Sequence, residues 1–245
     1  MNNVIKTAIV TGASRGIGRE IALRLAQDGF AVAINYAGNQ ASADNVVSDI
    51  QQNGGKAIAI QGNVADQQDM VHLFSETKRI FGRIDVVVNS AGVMANTPII
   101  DGNLAQFDKM ISTNLRGAFI VMSAAAQHIE TGGRIIALTT SVIGASLPTY
   151  GPYIASKVGV EGLVRVLANE LRGRNISVNS IAPGPVATEL FFTGKSDELI
   201  QKLSHAAPLE RLGTPQDIAH VVSFLAGPEG AWINAQIIRA NGGFV

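Results

Sequence analysis

Tyr153 and Lys157 stand four residues apart at the opening of a helical stretch. On a helix, positions i and i+4 share a face, so this spacing sets an ammonium beside a phenol. A free phenol titrates near 10 and exchanges protons poorly at neutral pH. A neighbouring cation favours the phenolate and draws that pKa down. Bringing it to neutrality takes about 4 kcal/mol, of which one lysine supplies part. The chain has three tyrosines. Tyr36 is followed at the fourth position by Gln40 and Tyr150 by Ile154, so only Tyr153 forms the pair.

A second chemistry-bearing stretch is the TGASRGIG segment, Thr11–Gly18, between a short apolar run and a helical pattern. Gly12 permits a tight turn, Gly16 lets backbone approach a pyrophosphate, and Gly18 allows a helix to pack closely on a strand. Ser14 and Ile17 complete the loop, and the helix N-terminus offers N–H groups to an anion. The spacing is G-x-x-x-G-x-G, which differs from the G-x-G-x-x-G fingerprint. The next apolar run ends at Asn35 and Tyr36, where an NAD-selective site wants a carboxylate; the first one comes at Asp44. Arg15, inside the loop, can pair with a 2′-phosphate. Both features favour NADP(H) over NAD(H).

Positioning these residues requires a scaffold. Apolar, β-branched runs at 7–10, 31–35, 57–61, 84–88, 134–138, 176–181 and 236–240 alternate with helical patterns near 17–28, 41–53, 67–81, 104–128, 152–172 and 215–226. Strands apolar along their whole length, separated by helices, predict a parallel sheet covered on both faces. The expected fold is α/β: one Rossmann domain over 1–245, with a doubly wound, seven-stranded parallel sheet. The stretch 183–212 is the least regular, with glycines and prolines around Leu190, Phe191 and Phe192, and reads as a substrate lid near 186–212.

Formal net charge is zero and 47% of residues are apolar, which gives no electrostatic support for binding nucleic acid or an anionic membrane. The charge-free window 135–156 contains Pro148, Pro152 and several hydroxyl residues that a lipid-spanning helix tolerates poorly. Cysteine is absent, so disulfides and a thiol nucleophile are excluded. His72, His128, His205 and His220 show no ligand spacing, and no metal site is expected. With no signal pattern at the N-terminus, a soluble cytoplasmic protein is expected.

With Thr11–Gly18, the NSAG turn at Asn89, Ser90, Ala91 and Gly92, then Asn114, Ser141, Tyr153 and Lys157 in this order, the chain resembles the short-chain dehydrogenases/reductases over essentially its whole length. The resemblance is strongest to the branch of the 3-oxoacyl-acyl-carrier-protein reductases. It implies that Tyr153 is the general acid toward a carbonyl oxygen and that Lys157 lowers its pKa and bonds the nicotinamide ribose. Ser141 would polarise the substrate carbonyl, and Asn114 would hold a water for a proton relay. Asn89 to Gly92 would line the adenosine and ribose side, joined by Asn35, Tyr36, Asn63 and Val64. Pro183, Gly184, Val186 and Thr188 would meet the nicotinamide end. Such proteins are usually homotetramers, and Ala155, Gly159, Gly162 and Ala168 would let a symmetry-related helix approach.

Several positions depart from the family pattern. Asn63 stands where Asp is common, and could still bond adenine through its carbonyl oxygen. Asn241 replaces an Asp before Gly242 and Gly243, a change expected to touch subunit packing or local capping. The segment 128–133 lacks the basic residues expected to meet an acidic carrier protein, leaving Arg172 and Arg174 for that contact. The leading expectation is therefore an NADPH-dependent reductase of a small, fairly apolar ketone or aldehyde. The alternatives are a 3-oxoacyl-acyl-carrier-protein reductase with acyl carrier protein as partner, and, from another class, a non-catalytic NADP(H)-binding sensor.

Overall fold

The computed structural model describes residues 5–245. Seven parallel strands form one sheet: β1 (Thr7–Thr11), β2 (Ala31–Tyr36), β3 (Lys56–Gln61), β4 (Val86–Asn89), β5 (Arg134–Leu138), β6 (Ser177–Pro183) and β7 (Ile237–Ala240). Their order is β3-β2-β1-β4-β5-β6-β7. Every residue of β1, β2, β4, β5 and β6 is buried, as expected of strands covered on both faces. Only the edge strands β3 and β7 show mixed exposure.

Ten α-helical segments accompany the sheet: α1 (Gly16–Gln27), α2 (Gln40–Gln52), α3 (Gln67–Phe81), α4 (Leu104–Met110), α5 (Gly117–His128), α6 (Val142–Ala145), α7 (Gly151–Glu170), α8 (Glu189–Phe192), α9 (Asp197–Ser204) and α10 (Pro215–Ala226). On one face, Ile21 and Leu25 of α1, Val46 of α2 and Val222 of α10 pack on Val10, Ile34 and Ile136. On the other, Phe74 of α3, Val121 of α5 and Val164 of α7 pack on Ile9, Val87 and Ile135. The chain changes direction across the sheet between β1 and β4. In such sheets the crevice at the strands' C-terminal ends beside this point is where ligands bind.

The pattern 104–128, expected as one helix, is interrupted. Between α4 and α5 the segment Ile111–Arg116 forms a π turn. Such widened turns are rare and occur often at functional sites. Here it carries Asn114, whose amide pairs with the loop after β4. At the junction, a Cβ on Gly117 would lie 2.8 Å from Cγ2 of Val64. Gly117→Leu should therefore overpack the contact and lower stability by about 1–3 kcal/mol. Urea unfolding checks this, and an unchanged midpoint would show that the junction yields freely.

Candidate active site

The glycine loop is closed by backbone contact. Gly12 has φ of 62° and a Cβ there would sit 2.8 Å from Cα of Ala91; on Gly18 it would sit 2.4 Å from the carbonyl oxygen of Gly12. No side chain fits at either place. The Thr11 hydroxyl donates to Asn89 Oδ1 (2.9 Å) and accepts from the N–H groups of Ser90 and Ala91 (both 3.1 Å). Thr11 thus fastens the turn after β4 to the loop after β1. Helix α1 begins at Gly16 with no side chain capping it, so its first N–H groups are open to an anion. Gly16 also has positive φ, and the nearest atom to a Cβ there is Cγ2 of Thr188 at 3.7 Å. Uncapped donors and bare backbone on the crevice fit a dinucleotide pyrophosphate.

The Tyr153 and Lys157 pair lies beside this loop, on the first turns of α7. Lys157 Nζ stands 5.9 Å from the centroid of the Tyr153 ring. It donates to the Leu138 carbonyl oxygen at 2.9 Å. An ammonium has three donors, so capacity remains for ribose hydroxyls. A Cβ on Gly92 would lie 3.4 Å from Lys157 Nζ and 3.3 Å from Asn114 Oδ1, which brings those groups to one spot. Asn114 accepts from Val93 N–H and donates to Val93 O, both at 2.8 Å, and donates to Ser156 Oγ at 3.1 Å. Ser156 in turn donates to the Tyr153 carbonyl oxygen at 2.7 Å. Just before α7, Thr149 adopts φ of 72°, strained for a β-branched residue, while its carbonyl accepts from Thr97 N–H at 2.9 Å.

The electrostatics of the pair differ from the simple expectation. Burial pushes the Tyr153 phenol up to about 12, opposed by a hydrogen bond from the Thr140 hydroxyl. Burial also draws Lys157 down to about 8. The ammonium lies over the ring rather than at the phenol oxygen, and each charged form loses solvation. In the protein by itself desolvation therefore outweighs the attraction that was to lower the phenol. Tyr150, edge-on to Tyr153 with ring centroids 6.4 Å apart, is likewise raised by burial.

The comparisons with known proteins agree with this geometry. The family described as enoyl-(acyl carrier protein) reductase matches residues 12–245. A short-chain type dehydrogenase/reductase of Picea abies is 43% identical over 250 residues, covering 98% of this chain and 92% of the relative. The chain is a short-chain dehydrogenase/reductase. A chloroplastic NADPH-dependent aldehyde reductase-like protein of Arabidopsis thaliana is 41% identical, with 98% of this chain and 94% of that protein covered. The 3-oxoacyl-acyl-carrier-protein reductase FabG of Staphylococcus aureus is 40% identical, with 97% of each covered. A short chain dehydrogenase from Burkholderia cenocepacia, solved in complex with NADP, superposes with a TM-score of 0.92 at 34% identity, covering 99% of both chains.

Within this dehydrogenase/reductase frame, some expected site residues have other duties. The Ser141 hydroxyl is already engaged: it donates to the Ala182 carbonyl oxygen at 2.7 Å and accepts from Asn241 Nδ2 at 3.0 Å. The preceding Thr140 is the hydroxyl that acts on the phenol, holding its pKa below what burial alone would give. Both residues lie past the end of β5. Asn35 directs its amide to Gly62 O (2.9 Å), bracing β2 on β3, while its carbonyl oxygen holds Ala13 N–H at 2.9 Å. Tyr36 and Val64 are buried in the two core layers. Asn63 Oδ1 already accepts from Ala65 N–H at 3.0 Å, which leaves its amide nitrogen freer than its oxygen for a ligand. Arg15 is exposed and paired with Glu189 at 2.9 Å, tying the glycine loop to α8.

At the nicotinamide end, Pro183 O accepts from Ser141 N–H at 2.8 Å, and Gly184 lies against Asn241. Val186 is buried beside Gly213, and Thr188 caps α8 through Phe191 N–H at 3.2 Å. Helices α8 and α9 bury no residue completely. The 186–212 excursion therefore has no core of its own.

Lys157 gives a stability test. Its folded pKa lies below the ordinary lysine value, so protonation favours the unfolded chain. That penalty is complete below pH 8 and fades as pH rises from about 8 to the ordinary lysine value of 10.5. Lys157→Met should raise the melting temperature of the cofactor-free protein at pH 7, and the gain should shrink toward pH 10. A gain independent of pH would point to packing rather than charge.

Proposed function

We propose that this protein is an NADPH-dependent reductase that converts a small, apolar ketone or aldehyde to an alcohol. When bound, the reduced nicotinamide supplies hydride to the carbonyl carbon. Tyr153 gives its phenolic proton to the carbonyl oxygen as negative charge develops there, and takes it back in the reverse direction. Lys157, with donors to spare for the nicotinamide ribose, would stabilise the phenolate left behind. The Thr140 hydroxyl replaces Ser141 in this reading as the group beside the reacting oxygen, because it lowers the phenol's pKa while the Ser141 hydroxyl is taken up by Ala182 and Asn241. Asn114, on its π turn, holds the region behind Lys157 in place. The observation that carries the proposal is the convergence of Lys157 and Asn114 on Gly92, with Tyr153 beside Lys157 and the neighbouring Ala91 packed on Gly12 of the glycine loop.

The carrier-protein alternative receives less support. Arg174, one of the two arginines left for that contact, donates to the Ala126 and Ile129 carbonyl oxygens at the end of α5. That leaves Arg172 as the exposed cation of the two. A sensor without catalysis would have no use for the Tyr153 and Lys157 pair. Assembly into a homotetramer and a cytoplasmic location belong to the same proposal. For assembly, the expected stripe is split: Ala155 and Gly162 are exposed, whereas Gly159 packs against Leu115 and Ala168 lies in the core. Phe119, Val158 and Val166 are also exposed on α5 and α7. Among the described residues no helix is long and apolar enough to cross a membrane.

Turnover of NADPH against a panel of ketones and aldehydes, with an acyl-carrier-protein thioester in parallel, tests the substrate class. Strong preference for the thioester would reverse the ordering. Tyr153→Phe and Thr140→Val should each lower kcat at least about 100-fold, in the range of general acid–base contributions, while NADPH still binds. Retained turnover in Tyr153→Phe would refute the assigned acid. Arg15→Gln should raise the KM for NADPH about tenfold and leave that for NADH unaltered, the loss of one charge-assisted phosphate contact. Equal effects on both nucleotides would remove Arg15 from selectivity.

A further inference from the structure

The last residues of the chain fold back onto the loop that follows β5. Asn241 donates both amide hydrogens, one to Ser141 Oγ at 3.0 Å and one to the Val245 carbonyl oxygen at 3.1 Å. Its own Oδ1 accepts from Gly243 N–H at 2.9 Å. Ser141 is held from two further directions, by its N–H to Pro183 O at 2.8 Å and its hydroxyl to Ala182 O at 2.7 Å. Val245 covers the next turn: a Cβ on Gly144 would approach Val245 Cβ at 3.1 Å. Gly184 allows the tail to come this near, since a Cβ there would lie 2.9 Å from Cα of Asn241. An aspartate, the common residue of the family at this position, has no hydrogens to donate in its ionised form.

We propose that Asn241 is a positioning residue for the reaction: by pinning Ser141 to the chain's tail and to β6, it fixes the adjacent Thr140 hydroxyl against Tyr153. The proposal rests on the assignment of Thr140 made above. Asn241 touches no reacting atom, and its effect passes through Ser141. It therefore acts on the chemical step and not on capture of NADPH, since neither Asn241 nor Ser141 belongs to the glycine loop.

The test is steady-state kinetics of full-length Asn241→Ala, Ser141→Ala, the double variant and Thr140→Val, with NADPH and the best carbonyl from the panel. Asn241→Ala should lower kcat about tenfold and leave the KM and the fluorescence-titrated Kd for NADPH within twofold. The double variant should be no slower than Ser141→Ala alone, because the two side chains act as one unit. A kcat within twofold of wild type, a parallel loss of NADPH affinity, or additive effects in the double variant would each overturn the idea. Should Asn241→Ala fail to fold, Asn241→Asp keeps the shape and removes the donors, and the same outcomes apply. If Thr140→Val is slow while Asn241→Ala is not, only the positioning role fails; if Thr140→Val is fully active, the assignment beneath it fails first.

Discussion

The structure is organised around a buried lysine ammonium beside a half-buried phenol, without a carboxylate between them. Removing two ionisable groups from water is expensive, and attraction between them recovers the cost only with good geometry and further hydrogen bonds. Lys157 has a single bond to the Leu138 carbonyl oxygen, and its ammonium lies over the Tyr153 ring. A site of this kind holds unmet demand for polar partners. The surrounding elements supply the mould in which a ligand meets that demand: the π turn with Asn114, the bare backbone at Gly92, and the Thr11 clasp between two loops.

Much of the architecture was legible in the sequence, because strands buried on both faces must be apolar throughout and the helices between them must not. The seven runs fall within one or two residues of the observed strands. The glycines at 12 and 18 were equally readable, since close backbone approach leaves no room for a side chain. What sequence could not give was side-chain direction. Ser141 and Thr140 are adjacent hydroxyls, and which one faces α7 depends on how the chain leaves β5. The π turn was hidden for a related reason: its cause is the long-range pairing of Asn114 with Val93, which helical periodicity does not report. Thr11 was visible only as the first residue of the glycine segment, although its hydroxyl joins the loops after β1 and β4.

The same limit applies to electrostatics. Spacing placed the cation next to the phenol and suggested mutual stabilisation. Burial depth, which spacing does not encode, sets the opposite sign for the protein alone: Tyr153 goes up and Lys157 goes down. Position along a helix says which groups are neighbours. It does not say how much water they keep.

The pairing of Arg15 with Glu189 has a consequence for motion. One guanidinium cannot face a carboxylate on α8 and a nucleotide phosphate with full strength at once. Occupancy at the glycine loop and the resting posture of the 186–212 excursion are thereby linked through a shared exposed cation. Both side chains are largely solvated, so the tie is weak. A tie this weak offers little resistance to any anion that competes for the same guanidinium.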